Sequence, residues 1–189
     1  MSEFIVELGH GASCQNWFTF ICAIHDDVFL REPFAWTPQT SQENAEELHR
    51  LAGDPSFGVA IAWHSGEAVG YAYGHRLPPD HGWWRAIPES LPAEFTDEWD
   101  SRTFALVSLA VLPNWRGHGI GGRLIDSLLG SRSEERAVLS VQPTALSTQS
   151  IYRHLGWRLI GRNGPFTGIT PPRWDVYVLE NLPRPSPAP

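Results

Sequence analysis

The chain has 189 residues, of which 42% are hydrophobic and 19% charged, and its formal net charge at pH 7 is −7. This length suits one domain with a substantial core, so we expect a single domain over residues 1–182. The negative charge argues against a nucleic-acid-binding surface and favours a cationic partner.

Membrane proteins and metal-centred proteins are also disfavoured. No apolar run approaches the length of about 18 residues that a membrane span needs, and the N-terminus lacks a signal-peptide pattern. We therefore expect a cytoplasmic protein that makes no membrane contact. The two cysteines, Cys14 and Cys22, lie in one apolar segment and form no ligand cluster. We interpret them as reduced core thiols and expect no metal site.

The N-terminal part of the chain predicts a strand followed by two helices. Acidic and apolar residues alternate over residues 4–8, which is typical of a strand. Apolar residues at helical spacings predict a largely covered helix over residues 14–30. A shorter helix is predicted over residues 41–52, with Thr40 or Ser41 as its N-cap.

A hairpin and an unusual insertion come next. Residues 57–64 and 68–77 predict two strands joined by a tight turn. Residues 78–100 then carry four prolines, six acidic residues and the pair Trp83-Trp84. Long insertions of this kind often carry function, and this one would suit a cationic acceptor. The alternative is an exposed acidic excursion whose tryptophans only pack down on the sheet.

The most informative stretch joins a strand to a helix through four glycines. Residues 104–111 are almost continuously apolar, with Ser108 as the only polar residue, which predicts a strand buried on both faces. Pro113 ends this strand. Glycines at positions 117, 119, 121 and 122 follow, and apolar residues at helical spacing predict a helix that ends near Gly130.

The C-terminal part predicts a short strand, a helix and two further strands, over residues 137–141, 146–155, 158–162 and 174–179. The complete order of elements predicts an α/β protein with a mixed sheet. Residues 183–189 include four prolines and cannot form a core, so we expect them to be disordered.

The glycine-rich turn has the properties of an anion site. Glycines let several backbone N–H groups point at one place, and the start of a helix adds a partial positive charge. Arg116 and Arg123 add two full charges, so a phosphate or pyrophosphate is the expected guest. The alternatives are a tight turn without a ligand and a dinucleotide-binding loop, because residues 117–122 also satisfy the G-x-G-x-x-G pattern. A dinucleotide loop would place its glycines directly after the strand and an acidic residue after the next one, and neither is found.

Two segments, one in the glycine-rich turn and one in a later helix, resemble motifs of a known family. Arg116-Gly117-His118-Gly119-Ile120-Gly121 resembles the Q/R-x-x-G-x-G/A motif that cradles the pyrophosphate of coenzyme A in the GNAT superfamily of acyl-CoA-dependent N-acyltransferases. Residues 150–157 resemble its later helix, which carries a tyrosine followed by Leu-Gly-aromatic. The resemblance covers residues 102–162 and implies a central mixed sheet of six to seven strands with about four helices.

The resemblance also implies a function and a site. The expected reaction is transfer of an acetyl group from acetyl-CoA to an amine of a small molecule or peptide, by a monomer or a homodimer. The general acid would be Tyr152, and Val111 N–H would stabilise the oxyanion. The expected cofactor-binding residues are Leu109, Val111, Arg116, Gly117, His118, Gly119, Ile120 and Gly121.

The general base and one cofactor contact are unassigned. Candidates for the base are Asp97, Glu98, Asp100, Ser108, His75 and His81, or water alone. Superfamily members commonly place an Asn seven residues before the tyrosine, where this chain has Ala145. A hydroxyl or amide of the nearby Ser147, Thr148 or Gln149 is the alternative source of this contact. A coenzyme A-binding sensor without turnover is therefore the alternative, and a nicotinamide oxidoreductase is a third hypothesis that rests on the glycines alone.

Overall fold

Seven strands form the sheet of this protein, seen in a computed structural model that describes residues 4–32, 34, 36–89, 91–167 and 170–182. The strands are β1 (Ile5–His10), β2 (Gly58–His64), β3 (Glu67–Arg76), β4 (Thr103–Val111), β5 (Arg136–Val141), β6 (Arg158–Asn163) and β7 (Trp174–Glu180). Their order in the sheet is β1-β2-β3-β4-β5-β7-β6. The helices are α1 (Phe18–Phe29), α2 (Pro38–Leu51), α3 (Ala93–Thr96), α4 (Ile120–Gly130) and α5 (Leu146–His154). The predicted mixed sheet is confirmed, with five helices where about four were expected.

Strand directions show why the sheet is mixed. β4 and β5 pair in parallel, whereas β1–β2, β2–β3, β5–β7 and β6–β7 pair antiparallel. The predicted hairpin is β2–β3, and its turn residues Ser65 and Gly66 both have positive φ, at 51° and 83°. Two consecutive positive φ values give the turn a twist that matches the twist of the flanking strands.

The chain divides into two compact units. The first unit contains the described residues up to His75 together with residues 106–132, and the second contains residues 76–105 and the described residues from Ser133 onwards. β4 contributes its first three residues to the second unit and the remainder to the first. A single domain over residues 1–182 stays a prediction.

In the first unit, the two faces of the strands carry different helices. Tyr71 and Tyr73 of β3 are fully buried in a core cluster with Ile21 of α1 and Leu48 of α2. Neighbouring residues of a strand point to opposite faces. A Cβ added at Gly70 would lie 3.3 Å from Leu124 Cδ1, so α4 covers the other face closely.

Two helix starts in the first unit differ from the prediction. Residues 11–17 form a 3-10 helix, and α1 begins only at Phe18. Cys14 and Trp17 pack against Gly9, where a Cβ would lie 2.7 Å from each side chain. The predicted N-caps of α2 were wrong as well: Thr37 is the N-cap and its hydroxyl accepts a hydrogen bond from Thr40 N at 3.2 Å. Proline is tolerated in a first helical turn, so α2 begins at Pro38, three residues before the predicted start at residue 41.

The second unit holds the insertion and a buried ionic network. A 3-10 helix over Trp83–Ala86 places Trp84 in the core cluster of this unit, so the interpretation that this tryptophan packs down is confirmed. Glu98 Oε1 accepts hydrogen bonds from Arg136 Nη2 at 2.7 Å, Trp84 Nε1 at 2.8 Å and Thr103 Oγ1 at 2.8 Å. The Arg136 guanidinium also lies 4.7 Å from the ring centroids of Trp84 and Phe95.

The remaining expectations concern the cysteines, the tail and membrane spans. Both cysteines are free thiols, Cys14 buried and Cys22 half-buried, and burial raises the pKa of each. We expected residues 183–189 to be disordered, and these residues lie outside those that the structure describes. Within the part of the chain that the structure describes, no helix is both long and apolar enough to cross a bilayer.

Candidate functional site

β4 is open in its middle, contrary to the prediction of a strand buried on both faces. Residues 103–106 are buried, but Val107 is 43% exposed and Ser108 and Leu109 are half-buried. The parallel ladder with β5 covers only Thr103–Ala105 and Arg136–Val138, although β4 continues to Val111. The backbone of residues 106–111 therefore extends beyond that ladder.

The glycine-rich turn connects β4 to α4 within the first unit. Leu112 N donates to Val69 O of β3 at 3.0 Å, which fixes the end of β4. A 3-10 turn over Pro113–Trp115 follows, and then Gly117 and Gly119 adopt φ values of +80° and +76°. L-residues with side chains rarely adopt such angles, so the turn requires glycine at both positions.

The start of α4 is a suitable place for an anion. Gly119 is its N-cap, no side chain caps the helix and no acidic residue lies in the first turn. The first N–H groups of a helix have no intrahelical acceptor, and the helix dipole makes this end positive. A Cβ at Gly117 or Gly119 would meet no atom within 4 Å, so the space beside both glycines is open.

The side chains around the turn hold its backbone. Arg116 Nε donates to Val111 O at 3.2 Å, and His118 Nδ1 lies 3.0 Å from Arg116 O. The Trp115 ring packs against His64 with a centroid separation of 4.4 Å. Ile120 is 1% exposed, so only its backbone can face a ligand.

The first unit thus contains all of the residues predicted to bind the cofactor. These are Leu109 and Val111 on β4, Arg116, Gly117, His118 and Gly119 in the turn, and Ile120 and Gly121 at the start of α4. A Cβ at Gly121 would lie 3.9 Å from Val111 Cγ2, so strand and helix pack closely there. Their role in cofactor binding stays a prediction.

Tyr152 lies in the second unit, on α5. It is 7% exposed, and its ring packs edge-on against Trp157 with centroids 5.8 Å apart. Burial raises the pKa of the Tyr152 hydroxyl, because the phenolate form would lose its hydration. The phenol therefore stays protonated at neutral pH, the form that a general acid requires.

Of the nearby polar residues that could replace the missing Asn, Gln149 is engaged elsewhere, and the hydroxyls of Ser147 and Thr148 stay candidates. Ala145 is buried, and the amide of Gln149 is already committed to partners in the second unit. Gln149 Nε2 donates to Gln142 O, Pro143 O and Asp175 Oδ2, each at 3.1 Å, and Gln149 Oε1 accepts from Tyr177 Oη at 3.1 Å. Gln149 therefore holds the start of α5 against the adjoining strands.

The candidate bases have different environments. Glu98 is the centre of the buried ionic network, which makes it a structural residue. Asp97, Asp100 and His81 are exposed. His75 Nδ1 lies 3.8 Å from Asp54 Oδ2. Ser108 has a partner that the sequence did not indicate, Tyr71, whose hydroxyl lies 3.0 Å from Ser108 Oγ.

Among the described residues, no group of three or more His, Cys, Asp or Glu side chains could hold a metal ion.

Solved structures share this fold. The alignment with an N-acetyltransferase from Staphylococcus aureus Mu50 covers 95% of this chain and 99% of the acetyltransferase chain, with a TM-score of 0.64 and 14% sequence identity. The alignment with Arabidopsis thaliana NAA60, solved with acetyl-CoA, covers 93% of this chain and 96% of NAA60, with a TM-score of 0.63 and 15% sequence identity. Arabidopsis thaliana Naa50, solved with the bisubstrate analogue CoA-Ac-MVNAL, covers 93% and 98% with a TM-score of 0.59 and 14% identity.

Sequence comparison gives the family. No curated protein matches the chain in sequence. The model of the acetyltransferase (GNAT) family matches residues 21–157, which is more than half of the chain. This match includes β4, the glycine-rich turn and Tyr152. The chain therefore belongs to the GNAT family of acetyltransferases.

Proposed function

We propose that this chain transfers an acetyl group from acetyl-CoA to an amine of a small molecule or peptide. The observation that carries the proposal is the uncapped start of α4, with two open positive-φ glycines and no acidic residue in its first turn. This arrangement suits a pyrophosphate, which coenzyme A contains. The structural relatives solved with acetyl-CoA and with a CoA-peptide analogue support the same donor and an amine acceptor.

In this proposal, the first unit holds the cofactor. Backbone N–H groups from Gly117 to Gly121 hold the pyrophosphate, and Arg116 adds positive charge. The backbone of Leu109 and Val111, which extends beyond the β5 ladder, pairs with the pantetheine arm. Val111 N–H then donates to the carbonyl oxygen of the thioester as it becomes an oxyanion.

The chemistry needs two proton transfers. The neutral amine attacks the thioester carbonyl, the C–N bond forms, and the C–S bond breaks to release a thiolate. The amine nitrogen loses its proton to water or a nearby base, and Tyr152 donates a proton to the thiolate sulfur. Burial raises the pKa of Tyr152, so the acid form is fully present, although the transfer is uphill and depends on geometry.

Calorimetric titration and thiol release test this function. We expect acetyl-CoA to bind the wild-type protein and NAD not to bind. Gly119→Trp would place a large side chain over the N–H groups and should weaken acetyl-CoA binding by about 100-fold, since hydrogen bonds to a charged group contribute roughly 1.5–3 kcal/mol each. Gly130→Trp, at the end of α4 where a Cβ also meets nothing within 4 Å, is the matched control and should bind normally.

Tyr152→Phe separates catalysis from binding. It should leave the acetyl-CoA affinity unchanged and lower amine-dependent thiol release by about 10²–10⁴-fold, the usual contribution of a positioned acid. Acetyl-CoA binding without thiol release for any amine of a broad panel would favour the sensor alternative. Binding of NAD alone would overturn the proposal.

A further inference from the structure

Ser108 is an isolated polar residue in an apolar strand. It is the only polar residue between Phe104 and Leu112, and it lies in the part of β4 that is open to solvent. It directly precedes Leu109, the first residue proposed to pair with the pantetheine arm. A hydroxyl at this position lies within one residue of the proposed thioester site.

The Ser108 hydroxyl is held in place from within the core of the first unit. Ser108 and Ala110 share one face of β4, and Ala110 belongs to the core cluster that contains Tyr71, α1 and α2. The hydroxyl oxygens of Tyr71 and Ser108 are 3.0 Å apart. Tyr71 is fully buried, and burial raises the pKa of its hydroxyl well above the usual value, so it remains a hydrogen-bond donor.

The hydrogen-bonding capacity of Ser108 is not exhausted by Tyr71. A serine oxygen has two acceptor lone pairs and one O–H donor. Tyr73 also forms a side-chain hydrogen bond with Ser108. Because the Tyr73 hydroxyl donates to Asn44 Oδ1, it accepts the Ser108 O–H, and when Tyr71 donates to one lone pair the second lone pair remains available. Ser108 is half-buried, so this lone pair can reach a ligand that enters at the middle of β4.

We propose that the Ser108 oxygen accepts a hydrogen bond from the N–H of the acceptor amine, and that Tyr71 is the residue that positions this hydroxyl. The inference rests on the proposed acetyl transfer, because it places the amine beside a thioester held at residues 109–111. A hydrogen bond to one N–H orients the amine so that its lone pair faces the carbonyl carbon. Ser108 thereby becomes the acceptor-binding residue of β4.

A defined probe tests this without knowledge of the natural acceptor. The probe is coenzyme A whose sulfur is joined through a CH₂–C(=O) bridge to the nitrogen of butylamine. Its amide N–H stands where the amine N–H would lie, whereas acetyl-CoA has no such group. The measurement is the ratio of the two dissociation constants, from calorimetric titration of the full chain.

We expect Ser108→Ala to weaken binding of the conjugate by about tenfold, the effect of one lost hydrogen bond, and to leave acetyl-CoA binding within about twofold of wild type. Ser108→Thr retains the hydroxyl and should retain the wild-type ratio. Tyr71→Phe should change the ratio in the same direction by about threefold, because the serine loses its anchor. Ser131→Ala is the matched control: it removes a hydroxyl that donates to Leu128 O at 2.7 Å, elsewhere in the first unit, and should leave the ratio unchanged.

The failures of the two proposals can be told apart. If the wild-type protein does not bind acetyl-CoA, the proposed function fails. If acetyl-CoA binds but Ser108→Ala leaves the ratio unchanged, or weakens both ligands equally, the role of Ser108 is overturned. If acetyl-CoA binds but the conjugate does not, the role of Ser108 is also contradicted, because the protein would then not accommodate an N–H group beside the thioester site.

Discussion

The two units bury polar groups in different ways. In the second unit, Arg136 and Glu98 form an ion pair at 2.7 Å whose side chains are only 6% and 3% exposed. In the first unit, the core cluster is lined by neutral groups: His25 is 1% exposed, and Tyr71 and Tyr73 are fully buried. The core of the second unit therefore contains full charges in a pair, and the core cluster around Tyr71 contains titratable groups kept without charge. Arg132, which is 8% exposed, is a buried charge of the first unit outside that cluster.

This difference determines what should destabilise each unit. Burial lowers the pKa of Arg136, and the ion pair with Glu98 offsets only part of that effect, so both charges depend on staying together. Burial also lowers the pKa of His25, while the neighbouring Asp26 raises it in part. The second unit should therefore respond to the loss of a charged partner, and the first to the gain of a charge.

The largest expected effect is on the ion pair. Arg136→Met leaves the carboxylate of Glu98 buried without its cation, which typically costs about 3–5 kcal/mol of stability. Denaturant unfolding followed by tryptophan fluorescence measures this cost. The double variant Glu98→Gln/Arg136→Met removes the lone charge while keeping an acceptor for Trp84 and Thr103. It should recover about half of the loss, and no recovery would contradict the assignment of the cost to buried charge.

The matched control is an exposed pair in the same unit. Arg158 Nη2 and Glu180 Oε1 are 2.9 Å apart, but the side chains are 59% and 49% exposed. Solvent screens such pairs, so Arg158→Met should change the stability by at most about 1 kcal/mol. Equal losses for Arg136→Met and Arg158→Met would show that burial does not govern this pair.

The next effect is a pH dependence that belongs to the first unit. The pKa of His25 is lower in the folded protein than its ordinary value of 6.5, so below that pH the unfolded chain binds more protons than the folded one. The free energy of unfolding therefore decreases as the pH falls below about 6.5. His25→Phe removes this titration and keeps an aromatic ring beside Phe29 and Trp36, so its stability should change less between pH 7 and pH 5.5.

Unfolding at several pH values, with His154→Gln as control, checks this prediction. His154 is exposed on α5, so this variant measures the effect of losing a histidine that is not buried. If wild type and His25→Phe lose stability in parallel as the pH falls, buried neutral histidine does not distinguish the first unit.

Local requirements of the backbone could be predicted from the sequence. The glycine-rich turn could be predicted because positive φ values at positions 117 and 119 require glycine, and because the flanking residues have strand and helix periodicity. The β2–β3 hairpin could be predicted for the same reason. The positions of the elements and the family followed from such signals, whereas the assigned role of Tyr152 still needs its activity test.

Partners that are distant in the sequence could not be predicted. Arg136 and Glu98 are 38 residues apart, and Tyr71 and Ser108 are 37 apart, so no spacing rule connects either pair. The prediction of the start of α2 was wrong because several residues there could be the N-cap. Thr37, Thr40 and Ser41 all suit an N-cap, and only the fold selects Thr37. The prediction that β4 is buried on both faces was wrong at Val107, because an apolar run cannot show which part of a strand its neighbours leave uncovered.

The smallest expected change in stability comes from two buried tyrosine hydroxyls, one in each unit, and it tests whether the units differ in anything besides charge. Tyr73 Oη donates to Asn44 Oδ1 at 3.1 Å in the first unit, and Tyr177 Oη donates to Gln149 Oε1 at 3.1 Å in the second. Both tyrosines are fully buried, and each hydroxyl donates to a neutral amide and has one further polar partner, which is Ser108 for Tyr73 and Arg153 for Tyr177. Tyr73→Phe and Tyr177→Phe should each cost about 1 kcal/mol and should agree within about 0.5 kcal/mol, because neutral hydrogen bonds make similar contributions. Arg153 also donates to Tyr177 Oη, but it is exposed and water can replace that contact. A much larger loss in one unit would mean that its packing, and not its buried charge, sets its sensitivity.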